Sequence, residues 1–256
     1  MISIKQISRF RAAAIHLALS AAIAVATVTV MLTLWYPTPL FGAMGGMELL
    51  ILIVGVDVAI GPLITLIIFD TRKKELVFDL AVVAALQLIA LSYGVYAMHS
   101  GRPVFTVFNG QILAVIPAAD LDPKDLALGR SEEFRSLSLT GPRLVATEEP
   151  TDPEERSNIA FGSLGGFGIQ HLPKHYVPYA DKRTAVLAAA HPLDELDLGD
   201  EDKERLRRYL SRSGRKAADL RCLPVSTKRV LLTGVFDAGS GDLLDILDIR
   251  PTLRQH

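Results

Sequence analysis

The stretch that most constrains the fold is residues 48–69, ELLILIVGVDVAIGPLITLIIF, an apolar run with a carboxylate, Asp57, near its middle. A helix of about 20 apolar residues, rising ~1.5 Å per residue, crosses the ~30 Å hydrocarbon core of a bilayer, so this run predicts a transmembrane helix. A charge at its centre costs at least ~2.5 kcal/mol on insertion scales. We therefore expect Asp57 to be neutral, paired or turned towards protein. The Gly61-Pro62 pair removes a backbone donor one turn later and predicts a kink there.

Two further apolar runs predict two more spans. Residues 12–35 contain no formal charge if His16 is neutral, and residues 77–98 are interrupted only by Asp79 near the start and Gln87 in the middle. A cleaved signal peptide is the alternative for the first run, but its apolar core normally has only about 7–15 residues. Charge divides the chain in the same way, because residues 1–99 carry only 11 of the 55 charged side chains. The mean hydropathy of the whole chain is +0.31. The sequence predicts a three-helix transmembrane domain over residues 1–99, with spans of about 12–35, 48–69 and 77–98, and a water-soluble domain over residues 100–256.

Basic residues predict the orientation of the spans. Lys5, Arg9 and Arg11 precede the first run, no Lys or Arg separates the first run from the second, and residues 72–74 (Arg-Lys-Lys) separate the second from the third. Cytoplasmic loops carry the excess of Lys and Arg. The N-terminus and the 72–74 turn are therefore expected in the cytoplasm of a bacterium. Three spans then place the C-terminal domain in the periplasm, so the predicted location is the inner membrane.

Local signals in the second half predict a small α+β domain. Two β-prone runs joined by Asn109-Gly110 predict a hairpin. The dipeptides Asp122-Pro123 and Asp152-Pro153 each place a capping residue before a proline, which predicts a helix start at both places. A polar helix is expected over residues 200–210, ending near residue 214, and a closing hairpin over residues 229–249.

Composition and motifs exclude several classes of function. A net charge of −1 offers no basic face of the kind that nucleic-acid binding needs. Cys222 is the single cysteine, so neither an internal disulfide nor a cysteine-built metal site is possible. His171 and His175 have the spacing of a zinc helix but lack the glutamate of H-E-x-x-H, and Pro173 breaks the helix. We predict no catalytic residue, metal or cofactor, and hence a protein that is not an enzyme.

Several short motifs together resemble one protein family. They are Ser8-Arg9-Phe10-Arg11-Ala12, Trp35-Tyr36-Pro37, Gly55-Val56-Asp57, Gly61-Pro62-Leu63-Ile64-Thr65-Leu66-Ile67 with Phe69, Phe78-Asp79-Leu80, Gln87-Leu88, Tyr93-Gly94, and Arg102-Pro103-Val104 with Phe108. This set resembles the type IV pilin accessory protein family of the TfpX/TfpZ type, strongly over residues 8–116 and loosely in the closing hairpin. The resemblance implies a chaperone-like inner-membrane factor that influences pilin stability and delivery, and it brings no catalytic residues with it.

Asp57 and Gln87 are the candidate site residues, because two adjacent antiparallel spans place both midpoints at one depth in the bilayer. One interpretation is a polar contact that fixes which helix faces meet, worth only ~0.6 kcal/mol on average. The other is a groove for a partner helix, in which Gly55 and Gly61 allow close backbone approach beside Pro62. A proton relay is a third interpretation, weakened by the lack of a chain of ionisable partners.

The family resemblance implies a function in type IV pilin stability, surface presentation and pilus assembly. The expected partners are the major pilin subunit, the lipid bilayer and other pilus assembly proteins, with no nucleic acid. A membrane-anchored periplasmic sensor is the first alternative, although little of the chain faces inward to carry an output. A periplasmic hydrolase is the second, and a cluster of His171, His175 or His191 with acids would favour it.

Overall fold

The structure, a computed structural model, describes residues 8–250 and the backbone of the short strand Thr252–Leu253. Lys5, one of the basic residues used to predict the orientation, lies outside the described residues. The chain folds into two units. One contains the apolar helices, up to Trp35 and from Gly45 to Ser100, and the other contains Tyr36–Met44 and the chain from Gly101 onwards.

The three predicted apolar helices are confirmed. The first helix is Arg9–Trp35, the second is Gly46–Ile68 and the third is Leu76–Gly101, and each is long and apolar enough to cross a membrane. Large apolar side chains on all three are exposed, which is the pattern expected of helices surrounded by lipid tails rather than water. The observed ends agree with the predicted spans to within about three residues.

The second helix is irregular around Asp57. It is α-helical over Gly46–Val54, π-helical over Gly55–Ile60 and α-helical again over Gly61–Ile68. Pro62 has no amide hydrogen and cannot complete the regular hydrogen-bonding pattern. A one-turn π-helical segment is a common response to such a disruption. The irregularity observed beside Gly61-Pro62 is a π-helical turn that contains the acid, and the kink predicted there stays a prediction.

The second unit is built on a mixed sheet. Its strands are β1 Pro103–Phe108, β2 Leu113–Pro117, β3 Arg143–Thr147, β4 Tyr176–Pro178, β5 His191–Pro192, β7 Leu220–Ser226, β8 Leu231–Asp237 and β9 Leu243–Leu247, while β6 Leu196–Asp197 pairs separately with β10 Thr252–Leu253. The spatial order is β4-β3-β1-β2-β7-β8-β9, with β5 paired to β7. Parallel pairs join β1 to β3 and β2 to β7, and the other neighbours are antiparallel.

The predicted hairpins are confirmed. In the β1–β2 hairpin, the Asn109 side chain accepts hydrogen bonds from the backbone amides of Gln111 and Ile112. Gly110 has a φ of 98°, a left-handed conformation that favours glycine. The β8–β9 pair is the closing hairpin expected over residues 229–249.

Short helices connect the strands, and two of them begin where the sequence predicts. Asp122 accepts a hydrogen bond from the Lys124 amide at 2.8 Å, and Asp152 accepts one from the Glu154 amide at 3.1 Å. The polar helix predicted from residue 200 ends before Gly214. The helices of this unit are Leu40–Ala43, Pro123–Ala127, Glu132–Arg135, Pro153–Leu164, Arg183–Ala189 and Asp200–Ser213.

The connection between the first two apolar helices belongs to the sheet unit. It contains the helical turn Leu40–Ala43, and Leu40 packs in the same buried cluster as Phe108 of β1 and Phe236 of β8. The Thr227 hydroxyl donates a hydrogen bond to the Ala43 carbonyl at 3.0 Å. Residues 36–44 therefore supply part of the core of the sheet unit.

Candidate functional site

A cleft of about 470 Å³ lies among the three apolar helices. Its walls are mostly apolar side chains of the first and third helices, and the second helix contributes Asp57, Thr65 and Phe69. Five polar side chains interrupt the apolar surface, namely His16, Ser20, Asp57, Thr65 and Gln87. An apolar groove with a few convergent polar groups is the usual form of a binding site.

The lining residues define the length of the cleft. They extend over residues 12–23 of the first helix, 57–69 of the second and 80–91 of the third. At 1.5 Å per residue each stretch covers roughly 16–20 Å, which is half of a bilayer or slightly more. The cleft thus runs from the level of Asp57 to the helix ends nearest the basic turn at residues 72–74. In the predicted orientation this is the cytoplasmic half of the membrane.

Asp57 is buried within this cleft, and only 6% of its surface is exposed. One carboxyl oxygen, Oδ1, is fully buried and has no hydrogen-bond partner among the described residues. A buried polar atom without a partner costs roughly 1–3 kcal/mol, and more if the group is charged. Asp57 lies in the π-helical turn Gly55–Ile60.

The backbone carbonyl of Asp57 has a different partner, the side chain of Gln87. Gln87 Nε2 donates a hydrogen bond to this oxygen at 3.1 Å. In a π-helical turn the amide of residue 62 would reach the carbonyl of residue 57, but Pro62 has no amide hydrogen. The Gly61 amide instead donates to the Val56 carbonyl. Gln87 therefore compensates for the donor that the proline removes.

Gly61 makes room for this contact. A Cβ atom built on Gly61 would lie 2.1 Å from Gln87 Nε2, far closer than any van der Waals contact allows. A Cβ on Gly55 would meet nothing within 4 Å. The structure brings Asp57, Gly61, Pro62 and Gln87 together, whereas Gly55 makes no comparable close approach within the described chain. Their role as contacts for a partner helix stays a prediction.

His16 is not among the predicted site residues, yet it pairs with Thr65 beside the cleft. His16 Nδ1 lies 2.6 Å from the Thr65 hydroxyl oxygen and connects the first helix to the second. A signal was present in the sequence, because His16 and Ser20 are four residues apart and share one face of an apolar helix. Both residues line the cleft.

Among the histidines of the sheet unit, His175 lies beside an acidic side chain. His175 Nε2 lies 3.2 Å from Glu155 Oε1, and Lys174 also pairs with that carboxylate. Burial lowers the pKa of His175 below its ordinary value, an effect that Glu155 partly opposes. Over residues 8–250, no group of three or more His, Cys, Asp or Glu side chains is arranged to hold a metal ion.

Comparison with known proteins identifies the family. The family described as "Fimbrial assembly protein FimB" matches residues 5–45. The serogroup I fimbrial assembly protein of Dichelobacter nodosus is 31% identical over 221 residues, which cover 84% of this chain and 85% of the relative. The chain belongs to the fimbrial assembly protein family. The resemblance to a type IV pilus accessory family predicted from the short motifs is confirmed.

Other members of the fimbrial assembly protein family match with similar identity. The serogroup E1 protein of D. nodosus is 34% identical over 183 residues, 70% of each chain. The serogroups C1 and C2 protein is 35% identical over 109 residues, 42% of this chain and 83% of the relative. No solved structure matches the chain significantly.

Proposed function

We propose that this fimbrial assembly protein is a three-span inner-membrane protein that assists type IV pilus assembly without being an enzyme. In this proposal the cleft receives the apolar N-terminal helix of a pilin subunit and holds the subunit before it is delivered to the pilus. The periplasmic sheet unit engages the globular head of the same subunit. The bilayer and other pilus assembly proteins are the remaining partners.

The observation that carries the proposal is an open, mostly apolar cleft with a buried carboxyl at one end. Lipid tails are as apolar as leucine, so helices in a membrane associate through close packing and hydrogen bonds rather than through the hydrophobic effect. The cleft supplies both, with a groove for packing and Asp57 for hydrogen bonding. The names of the relatives support a role in fimbrial assembly, and the serogroup I match is long enough to include residues of both units.

Site-specific photocrosslinking in native membranes tests this proposal. Leu88 lines the cleft and is 60% exposed, while its neighbour Ile89 is 66% exposed and does not line the cleft. A photoreactive amino acid is placed at one position or the other, and the adducts are probed for pilin. The two positions have similar exposure and depth, so only the cleft distinguishes them.

We expect pilin in the adducts from position 88 and little or none from position 89. Equal capture at both positions would indicate random collisions and contradict docking in the cleft. Absence of pilin at position 88, in cells that assemble pili normally, would also contradict it.

A second candidate function for Asp57 and Gln87 is to hold the second and third apolar helices together. It is favoured by the Gln87 hydrogen bond to the Asp57 carbonyl, which joins the second and third helices at the π-helical turn. This role concerns the backbone of Asp57 and the side chain of Gln87. Helix packing provides no partner for Asp57 Oδ1, so this role is compatible with the docking of a pilin helix in the cleft.

A further inference from the structure

We infer that Asp57 recognises the docked helix, and that this helix carries a hydrogen-bond donor opposite Asp57, near the middle of the bilayer. The donor is an ammonium, amide or hydroxyl group. This inference rests on the proposed function, because it names the chemical group that the cleft selects in its client.

The polar groups of the cleft differ in whether they already have partners. His16 and Thr65 pair with each other, and the Gln87 amide donates to the Asp57 backbone. The Asp57 carboxyl lines the cleft and retains an oxygen without a partner among the described residues. Rotation about the Cβ–Cγ bond exchanges the positions of the two oxygens, so a donor in the cleft pairs with whichever oxygen faces the cleft. Among the fully buried polar side-chain atoms of the residues that line the cleft, Asp57 Oδ1 is the one without a hydrogen-bond partner in the described part of the chain.

Charge and shape together favour a helix over a lipid chain as the occupant. An acyl chain can fill an apolar groove, but it has no donor and would leave the carboxyl unpaired at a depth where that is expensive. A helix of about three to four turns matches the roughly 16–20 Å of lining on each wall. Such a helix needs an apolar surface along this length and one donor at the end that reaches Asp57.

The exposed walls of the cleft indicate that it accepts a large apolar surface. Leu19 of the first helix and Leu88 of the third both line the cleft, and both are more than half exposed. Without a bound helix, lipid tails would cover these side chains at no hydrophobic cost. Displacing the tails therefore contributes little free energy to docking by itself. Discrimination between one client helix and any other apolar helix then depends on the hydrogen bond to Asp57.

The test compares two substitutions of Asp57 in the protein with the photoreactive residue at position 88. Asp57→Leu removes the carboxyl, whereas Asp57→Asn is nearly the same size and keeps a carbonyl oxygen that accepts a hydrogen bond. We expect Asp57→Leu to lower the yield of pilin adduct by about threefold or more, the ratio that corresponds to an average interhelical hydrogen bond in a membrane. Adduct yields are divided by the amount of each variant recovered from the membrane fraction, which separates loss of binding from loss of protein.

The Asn variant distinguishes a neutral donor from a cation. Retention of more than half of the adduct in Asp57→Asn assigns an amide or hydroxyl donor. A loss as large as that in Asp57→Leu assigns an ammonium group, because that partner needs the carboxylate charge.

Substitutions in the client complete the test. Each polar side chain in the apolar helix of pilin is replaced by leucine, and the residue that faces Asp57 should cause the same loss as Asp57→Leu. The combined variants should lose no more than either alone, because both remove one interaction. If the N-terminal amine is the donor, no side-chain replacement reproduces the loss, and acetylation of that amine should reproduce it instead.

The outcomes separate this inference from the proposed function. If position 88 captures pilin equally well in wild type and Asp57→Leu, recognition by Asp57 is wrong while docking in the cleft stands. If wild-type position 88 captures only lipid, or only a second copy of this chain, both the docking proposal and the inference are wrong.

Discussion

Cys222 lies on β7 with 2% of its surface exposed, within a cluster that includes Leu220 and Val235. Burial raises the pKa of its thiol from 9.0 to about 12. Because the thiolate is the reactive form, the native protein should hold roughly a thousandfold less of it at pH 7.5 than an unperturbed thiol would.

We therefore expect Cys222 to resist a maleimide reagent in the folded protein and to react completely after denaturation, with the mass shift of the intact chain as the measurement. Rapid modification under native conditions would show that β7 opens or that the thiol is accessible. A Cys222→Ala variant, which lacks the thiol, is the negative control for both reactions.

The half-buried His171 and the buried His175 make the sheet unit sensitive to acid. Burial is the main cause that lowers the pKa values of His171 and His175, and His175 also faces Glu155, Lys174 and Arg130. The unfolded chain, whose histidines titrate near 6.5, takes up protons before the folded protein does. The free energy of unfolding should accordingly fall as pH falls below about 6.5.

The measurement is the midpoint of thermal unfolding between pH 7 and 5.5, above the range in which the lowered pKa of Glu155 matters. In the His175→Gln variant the unfolding midpoint should fall less steeply as the pH falls. The same change at the exposed His191 should leave the dependence of the midpoint on pH unaltered. If the plots of unfolding midpoint against pH are parallel for His175→Gln and wild type, this explanation is contradicted, whatever the absolute stability of the variant.

At the scale of secondary-structure elements, the second and third apolar helices approach closely at Gly94. A Cβ built there would lie 2.4 Å from Ile53 Cγ1, and this branched side chain has little freedom to move aside. We expect Gly94→Ala to reduce stability by about 1–3 kcal/mol, as overpacking usually does.

Thermal unfolding in detergent provides the comparison, with Gly55→Ala as the control because nothing lies within 4 Å of that added atom. Combining Gly94→Ala with Ile53→Ala should recover part of the loss. Equal melting temperatures for the two alanine variants would show that this crossing is looser than the structure indicates.

The π-helical turn and the third helix are coupled through Gln87. Gln87→Leu should destabilise the helix unit, because the Asp57 carbonyl loses the donor that replaces the missing amide of Pro62. In a Pro62→Ala background the helix regains that amide, so the same change at Gln87 should cost less.

A double-mutant cycle on the unfolding midpoint measures this difference. Additive effects of Pro62→Ala and Gln87→Leu would mean that Gln87 contributes packing alone. A smaller cost in the Pro62→Ala background would support compensation.

For the whole molecule, the proposed membrane topology can be tested with single cysteines. Lys74 and Lys216 are both exposed, one in the basic turn and the other in the sheet unit. A Lys216→Cys variant should react with a membrane-impermeant maleimide in cells whose outer membrane alone has been opened. Lys74→Cys should react only after the inner membrane is also disrupted, since the positive-inside rule places it in the cytoplasm.

Cys222 is the internal reference, because it should stay unlabelled under both conditions. Labelling of Lys74→Cys before the inner membrane is disrupted would reverse the orientation and place the end of the cleft nearest the basic turn in the periplasmic half of the membrane.

The sequence alone was sufficient to predict the three apolar helices, the capped starts at Asp122 and Asp152, and the hairpin at Asn109-Gly110. These features depend on local chemistry, because some twenty successive apolar residues, a capping carboxylate or a left-handed glycine act within a few residues of chain. The meeting of Asp57 and Gln87 was also predictable, since antiparallel helices of equal length bring their midpoints to one depth.

Only the tertiary structure decided the arrangements that join distant parts of the chain. The parallel pairs β1–β3 and β2–β7 bring together strands far apart in sequence, and the Tyr36–Met44 segment joins the sheet unit although it lies between two apolar helices. Periodicity carries no information about such pairings, because their free energy comes from burial against remote residues. For the same reason, the packing of three helices, and not the apolar run itself, leaves a cleft beside Asp57 and one carboxyl oxygen without a partner among the described residues.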